Sequence, residues 1–381
     1  MRRIRVLIVD DAVVIRRMLS DCLATDPSLE VVGTAPNGRI ALQKMEQVNP
    51  DVVTLDMEMP VMDGLTTLTE LRKVYPRLPV IMFSTLTERG AIATLDALTR
   101  GASDYVTKPA NVGSVTTAMQ RIREELVPKI RSLCRPERFA APVSIGKFPS
   151  QPVFSPVSLG NGWKSPDPTG ATRPELLVIG VSTGGPNALA TLLPGLSRQF
   201  PAPILIVQHM PPLFTKMLAV RLAAVTGMPA AEGVMGAQVK PGEIWVAPGG
   251  RHMEVERSGN SLEIRLHDDP AENSCRPAVD VLFRSAARAT GARCLGVILT
   301  GMGSDGLRGC GDLREAGSQI LAQDESTSVV WGMPGAVARA GLAKRVLPLD
   351  ELAVEINRYF PVDRVEPRPT NAAGMSLLKA A

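Results

Sequence analysis

The stretch Ile4-Arg5-Val6-Leu7-Ile8-Val9-Asp10-Asp11 decides how the first half of this chain is read. A short run of mostly branched apolar residues is followed at once by two carboxylates. The pattern recurs. Val52–Leu55 leads into Asp56, Val80–Phe83 into Ser84, and Tyr105–Val106 into Lys108, with one further run at Val31–Ala35. Helical spacing separates the runs, as from Val14 to Leu23, where Val14, Ile15, Met18, Leu19 and Cys22 recur at three and four, and again from Ile40 to Val48. Strands apolar throughout, alternating with amphipathic helices, predict a parallel sheet covered on both faces. In such sheets reactive groups gather just past the carboxyl ends of the strands.

A second stretch, Leu176-Leu177-Val178-Ile179-Gly180-Val181-Ser182-Thr183-Gly184-Gly185-Pro186, opens the other half in the same way. Apolar runs follow at Ile204–Gln208, Ile244–Ala247, Cys294–Leu299, Gln319–Ala322 and Arg345–Leu347, with helical patterns from Phe214 to Val225, Val279 to Ala289 and Leu349 to Tyr359. Ser258-Gly259-Asn260 reads as the turn of a hairpin on the margin of the sheet. The predicted fold class is α/β, with two doubly wound, mainly parallel domains. The first domain is expected over residues 1–121 and the second over 175–362. A helix extension and Pro-rich linker fill 122–174, and the polar tail 363–381 is expected to be disordered. The helix closing the first half is expected from about Val112 to about Ser132.

Composition narrows the function. The 381 residues suit two domains. Apolar residues make up 45% and aromatics only 4%, so Val, Leu, Ile, Ala and Met must build the cores. A net charge of +4 is far from a nucleic-acid footprint. The five cysteines Cys22, Cys134, Cys275, Cys294 and Cys310 lack metal-ligand spacing and read as reduced thiols. The first apolar run is too short for a signal peptide, and no stretch reaches a membrane span. A cytoplasmic protein without direct membrane insertion is expected.

Asp10, Asp11, Asp56, Ser84 and Lys108 would converge on one rim of the first sheet. Clustered carboxylates need a hard cation, and Mg²⁺ is held by few carboxylates because it keeps its waters. Asp56 is the natural phosphoryl acceptor, since a carboxylate can form an acyl phosphate. Lys108 and Ser84 could bind phosphoryl oxygens. Asp-Asp before a helix is also a common cap, but five matching residues at the strand ends favour the site.

In the second half, the glycine-rich stretch around Ser182 allows a structural turn or a nucleophile on a tight strand-to-helix bend, and less readily a dinucleotide loop, because Ser182 stands in a glycine position. The partners decide. Of His209, His252 and His267, only His209 directly follows a strand of the sheet, where it can serve as base. Asp305, in Leu299-Thr300-Gly301-Met302-Gly303-Ser304-Asp305-Gly306, could cap a helix near Leu307 or orient that imidazole. Three candidates at three strand ends favour a Ser182-His209-Asp305 triad. Its chain order differs from Ser-acid-His, which argues against the α/β-hydrolases.

Residues 3 to about 121 resemble the receiver domain of two-component response regulators. The resemblance is carried by Asp10-Asp11, by Leu55-Asp56-Met57-Glu58-Met59-Pro60-Val61-Met62-Asp63-Gly64, by Ser84 and by Lys108-Pro109. It implies phosphorylation of Asp56 by a histidine kinase, Mg²⁺ on Asp11, Asp56 and the Glu58 carbonyl, a reorienting Ser84 and a switch aromatic at Tyr105. Residues 175 to about 360 resemble the chemotaxis protein-glutamate methylesterases, the CheB family. Here the motifs are Gly180 to Pro186, Gln208-His209-Met210-Pro211-Pro212, Ala247-Pro248-Gly249-Gly250-Arg251-His252-Met253 and Leu299 to Gly306. This resemblance implies Ser182 as nucleophile, His209 as base, Asp305 as orienting acid, and Thr183 and Met302 in the pocket, the Met302 N–H serving the oxyanion. Chemoreceptor glutamate methyl esters would be the substrate, with glutamine deamidation in some members, and no cofactor for ester hydrolysis. The rivals are a phospho-switched binding module and a peptidase or amidase with the same triad.

Overall fold

The sequence of short buried strands and intervening helices folds as two parallel sheets. The structure, a computed structural model, describes residues 2–108, 115–134 and 173–361. The expectations for the linker, for Pro109 and for the C-terminal tail fall outside these residues.

The first unit runs β1 (Ile4–Val9), α1 (Val13–Ala24), β2 (Leu29–Ala35), α2 (Gly38–Val48), β3 (Val52–Asp56), α3 (Gly64–Val74), β4 (Val80–Ser84), α4 (Glu88–Thr99), β5 (Asp104–Thr107) and α5 (Val115–Leu133). Its strand order is β2-β1-β3-β4-β5, parallel throughout. The chain reverses its winding between β1 and β3, so Asp10 and Asp56 flank the crevice where ligands bind such sheets.

The second unit runs β6 (Leu176–Val181), α6 (Gly185–Leu192), β7 (Ile204–Gln208), α7 (Phe214–Thr226), β8 (Ala230–Glu232), β9 (Ile244–Val246), β10 (His252–Ser258), β11 (Ser261–His267), α8 (Val279–Thr290), β12 (Cys294–Ile298), α9 (Leu307–Glu315), β13 (Gln319–Gln323), α10 (Met333–Arg339), β14 (Arg345–Leu347) and α11 (Leu349–Tyr359). The seven strands are ordered β14-β13-β12-β6-β7-β9-β8, again parallel. β6 lies between β7 and β12, so the winding reverses at the strand that carries Ser182. His209 and Asp305 follow its two neighbours.

The hairpin corrects an expectation. β10 and β11 pair only with each other as strands and form a separate two-stranded sheet. Its inner residues Met253, Val255 and Ile264 share one buried cluster with Val279, Leu282 and Phe283 of α8 and with Leu176, Val178, Cys294 and Ile298 of the main sheet. α8 therefore lies between hairpin and sheet, and its position sets what its N-terminus can reach. His252 locks this layer. Its Nδ1 accepts from Ala278 N–H at 3.2 Å and its Nε2 faces the Pro270 carbonyl at 3.2 Å, so the buried ring is a neutral structural group. β8 and α10 were not read from the sequence, because β8 is Ala-Ala-Glu with no branched apolar residue and the seven-residue α10 is too short for a helical period to register.

Phe283 is wholly buried between the hairpin and the sheet. Phe283→Ala should lower unfolding stability by about 3–5 kcal/mol, measured by denaturant titration, through lost transfer free energy and the cavity left behind. A loss under about 1 kcal/mol would show that the α8 layer is not packed as described.

Candidate functional sites

Ser182 stands one residue past β6, and His209 one residue past β7, where Val181 pairs with Gln208. The bend after Ser182 is fixed from several sides. Ser182 N–H donates to the Thr300 carbonyl at 3.0 Å, and the Ser182 carbonyl accepts from Gly185 N–H at 2.8 Å and from the Gln208 side-chain amide at 2.9 Å. Gly184 adopts φ 80° at the start of α6, a conformation that a Cβ disfavours. Gly301 is required by proximity, since a Cβ there would lie 2.8 Å from Ser182 Cβ and 2.4 Å from Met333 Sδ.

His209 Nε2 and Asp305 Oδ2 are 2.8 Å apart. Asp305 does not cap α9, whose N-cap is Gly306. It instead receives the first N–H groups of α8, Val279 at 2.7 Å and Asp280 at 3.1 Å, together with Gly306 N–H at 3.0 Å and the Asn273 amide at 2.8 Å. Burial alone would raise its pKa, but the His209 bond and charge and these donors hold it below the usual carboxylate value. A carboxylate at a helix N-terminus also meets the favourable end of the dipole. His209 is pushed the other way. Burial disfavours its charged form, but hydrogen bonds to Asp305 and Cys275 outweigh it and bring the pKa to about 9.

Of the three residues expected to form a triad, two are joined. Among the described residues Ser182 Oγ makes no hydrogen bond to the imidazole, whose Nδ1 faces Cys275 Sγ at 3.6 Å. In the neutral ring, with Asp305 accepting from Nε2, the lone pair lies on Nδ1. The backbone N–H groups of Thr183 and Met302 donate to no described residue.

The first unit reaches into this rim. Thr183 Oγ1 donates to Asp104 Oδ2 at 2.9 Å, a buried bond between units. Tyr105 stacks on Phe214 with centroids 4.9 Å apart and planes 7° from parallel. Asn187 donates to the Leu98 carbonyl at 2.6 Å, and Arg221 to the Leu95 carbonyl at 2.6 Å and to Thr99. α4 and β5 of the first unit thereby cover α6 and α7 of the second. Lys129 offsets the Asp104 charge from behind at 3.3 Å and also donates to the Tyr105 carbonyl at 2.6 Å.

On the first sheet, Lys108 Nζ lies 2.7 Å from Asp56 Oδ1 and 3.3 Å from Asp10 Oδ2. Both carboxylates are about 1% exposed. One lysine cannot satisfy two buried carboxylates. Burial, opposed by Lys108 and reinforced by Asp10, raises the Asp56 pKa to about 6, and Asp10 is raised too. Asp56 Oδ2 is buried with no hydrogen-bond partner, and oxygens of Asp10, Asp11 and Asp56 lie within 4.8 Å of one another. That donor set fits a hard divalent cation. A cleft lined by Asp11, Asp56, Glu58, Thr85, Arg89 and Lys108 opens on it. Ser84 is turned the other way. It accepts from Thr94 Oγ1 at 2.7 Å and donates to the Gly90 carbonyl at 3.2 Å.

Sequence reading missed Asp104, Gln208, Asn273 and Cys275. Asp104 left a usable signal, a charge beside the short apolar run of β5. Gln208 was likewise a polar residue closing a buried strand. Asn273 and Cys275 act from an irregular loop, and nothing in their spacing marks them.

The profile described as "CheB methylesterase" matches residues 177–356, and that of the "Response regulator receiver domain" matches residues 6–120. A "Protein-glutamate methylesterase/protein-glutamine glutaminase" of Trichodesmium erythraeum is 51% identical over 358 residues, spanning 94% of this chain and 99% of its own length. A protein of the same description from Nocardioides sp. is 52% identical over 376 residues, spanning 97% and 99%. Among the described residues no helix is long and apolar enough to cross a membrane.

If Asp305 sets the proton affinity of His209 as described, NMR titration of that ring should have its midpoint near about 9. Asp305→Asn should move it down by more than one unit, because the charged partner and a strong hydrogen bond are lost together. An unchanged midpoint in Asp305→Asn would separate the two residues.

Proposed function

Since this chain belongs to the CheB methylesterase family, we propose that it is a phosphorylation-activated serine hydrolase that removes methyl esters from glutamate side chains of chemoreceptors. Residues 1–121 act as the receiver and 175–362 as the catalytic domain. The observation that carries the reading is the position of Ser182 beside a His209–Asp305 pair at the strand where the sheet reverses.

The chemistry follows from the donors present. In its neutral form His209 turns Nδ1 from Cys275 to Ser182 and takes the hydroxyl proton as Oγ attacks the ester carbonyl. Asp305 stabilises the imidazolium without itself being protonated. The Thr183 and Met302 N–H groups receive the oxyanion, each such donor being worth about 3–4 kcal/mol. The imidazolium returns the proton to the departing methanol, and water activated by His209 cleaves the acyl-enzyme. The same sequence on a glutamine side chain would release ammonia, which the relatives' description as glutaminases supports.

Asp56 receives the phosphoryl group from a histidine kinase. Asp10, Asp11, Asp56 and the Glu58 carbonyl would hold Mg²⁺, which when bound neutralises charge around the acceptor. Lys108 leaves Asp10 to pair with the phosphoryl oxygens, and Ser84 leaves Gly90 and Thr94 to donate to them. Tyr105 then gives up Phe214 for the space Ser84 vacates, and the Asp104–Thr183 bond beside it is lost. The receiver uncovers the pocket, in keeping with the way α4 and β5 lie over α6 and α7. The reaction belongs in the cytoplasm, where the receptor helices and the kinase meet, and no nucleic acid is involved.

Magnesium at a few millimolar should raise the thermal midpoint of the receiver transition by linkage, and Asp11→Asn should reduce that gain. Equal gains in both proteins would move the cation elsewhere. Methanol release from methyl-labelled receptor membranes tests the activity. Ser182→Ala should lower it by at least about 10³-fold. Asp56→Asn should respond no further to a phosphodonor. Release that survives in Ser182→Ala would leave the second domain a binding module, and chain cleavage in place of methanol would make it a peptidase.

A further inference from the structure

Cys275 is turned onto the base of the esterase by a purpose-shaped loop. Asn273 and Ser274 both have positive φ, 52° and 62°. Non-glycine residues adopt this conformation at a cost, and two in succession need outside support. The support is visible. Glu272 and Cys275 exchange backbone hydrogen bonds at 3.2 and 2.8 Å, Arg284 clamps the Glu272 carboxylate, and Asn273 is tied to Asp280 and Asp305, each at 2.8 Å. The result is a row of thiol, imidazole and carboxylate, Cys275–His209–Asp305, with gaps of 3.6 and 2.8 Å. This is how a thiol nucleophile is activated: an adjacent base, oriented in turn by an acid. The proposed esterase uses the same ring for Ser182, so the thiol competes for a nitrogen the reaction needs.

We propose that Cys275 is a modification site for small electrophilic oxidants of the peroxide class, and that its oxidation silences the esterase. The step balances without a cofactor. Nδ1 of the neutral His209 ring takes the thiol proton as sulfur attacks one peroxide oxygen. The O–O bond breaks and an S–O bond forms. Sulfur is oxidised by two electrons to the sulfenic acid, and the leaving hydroxide takes the imidazolium proton to become water. The new S–OH group then sits against Nδ1 and blocks the proton transfer from Ser182. A dithiol reductant reverses the change. Cys275 alone among the five cysteines is partly exposed, while Cys22, Cys134, Cys294 and Cys310 are buried, so reagent reaches the one thiol that has a base beside it. The inhibitory consequence rests on His209 being the esterase base; the reactivity of Cys275 does not.

The test exposes the full-length protein to hydrogen peroxide, traps sulfenic acid with a dimedone probe and maps it by mass spectrometry, with methanol release followed in parallel. Cys275 should label at least about tenfold faster than any other cysteine, and His209→Gln should slow that labelling about tenfold or more. Peroxide should lower methanol release by the parent, dithiothreitol should restore it, and Cys275→Ser and Cys275→Ala should each keep their own untreated rate in peroxide. Labelling of Cys275 no faster than the rest, labelling indifferent to His209→Gln, or equal peroxide inhibition of the parent and both Cys275 variants would each overturn the proposal. If no variant releases methanol at all, the esterase reading has failed, and the trapping result still decides the reactivity of Cys275.

Discussion

A buried carboxylate must be given donors, and the catalytic half of this molecule is organised around that demand at Asp305. Its two oxygens collect Val279 and Asp280 from the start of α8, Gly306 from the loop before α9, Asn273 from the segment after the hairpin, and His209 from the end of β7. Elements far apart in sequence are drawn to one point because an unpaired charge in a dry interior is far costlier than the bonds that satisfy it. The hairpin layer matters for the same reason. Its packing against α8, with His252 pinning Ala278, holds the helix N-terminus under the carboxylate. The His209 ring is therefore oriented by packing that lies well outside the pocket.

The receiver half obeys the opposite condition. Asp10 and Asp56 are buried with too few donors, and Lys108 spans both. That deficit leaves room for a cation and a phosphoryl group in the proposed switch, in which Lys108 and Ser84 change partners. The consequence travels a short way. Ser84 closes β4, its neighbour in the sheet is Thr107 of β5, and Tyr105 and Asp104 lie on the same strand against Phe214 and Thr183. Two residues of one short strand hold the Phe214 ring and the hydroxyl of Thr183, the residue after Ser182, which ties the Asp56 rim of the first unit to the Ser182 rim of the second through a single element.

Much of this was legible beforehand, and for identifiable reasons. Apolar runs ending in Asp10, Asp56, Ser182 and His209 announce parallel strands with reactive carboxyl ends, because side chains there have no other sheet neighbours to bury them. The strands found at Ile4–Val9, Leu176–Val181 and Ile204–Gln208 are those runs. What escaped depends on tertiary approach. Asp305 could be read as a cap for α9 or as an acid orienting His209; it does not cap α9, and it bonds His209 while receiving the N-terminus of α8. The hairpin was readable as a hairpin, but its detachment from the main sheet is decided by the width of α8 beneath it. Cys275 and Asn273 reach the site from irregular backbone, for which neither period nor spacing leaves a trace.

The account stands most directly on whether Ser182 is a nucleophile kept covered by the receiver. Labelling of the intact protein with a serine-directed fluorophosphonate, located by peptide mass spectrometry before and after exposure to a small phosphodonor, measures both at once. A single adduct on Ser182, formed faster once Asp56 is phosphorylated, is the expected result. An adduct elsewhere, or a Ser182 adduct whose rate ignores the phosphodonor, would contradict it.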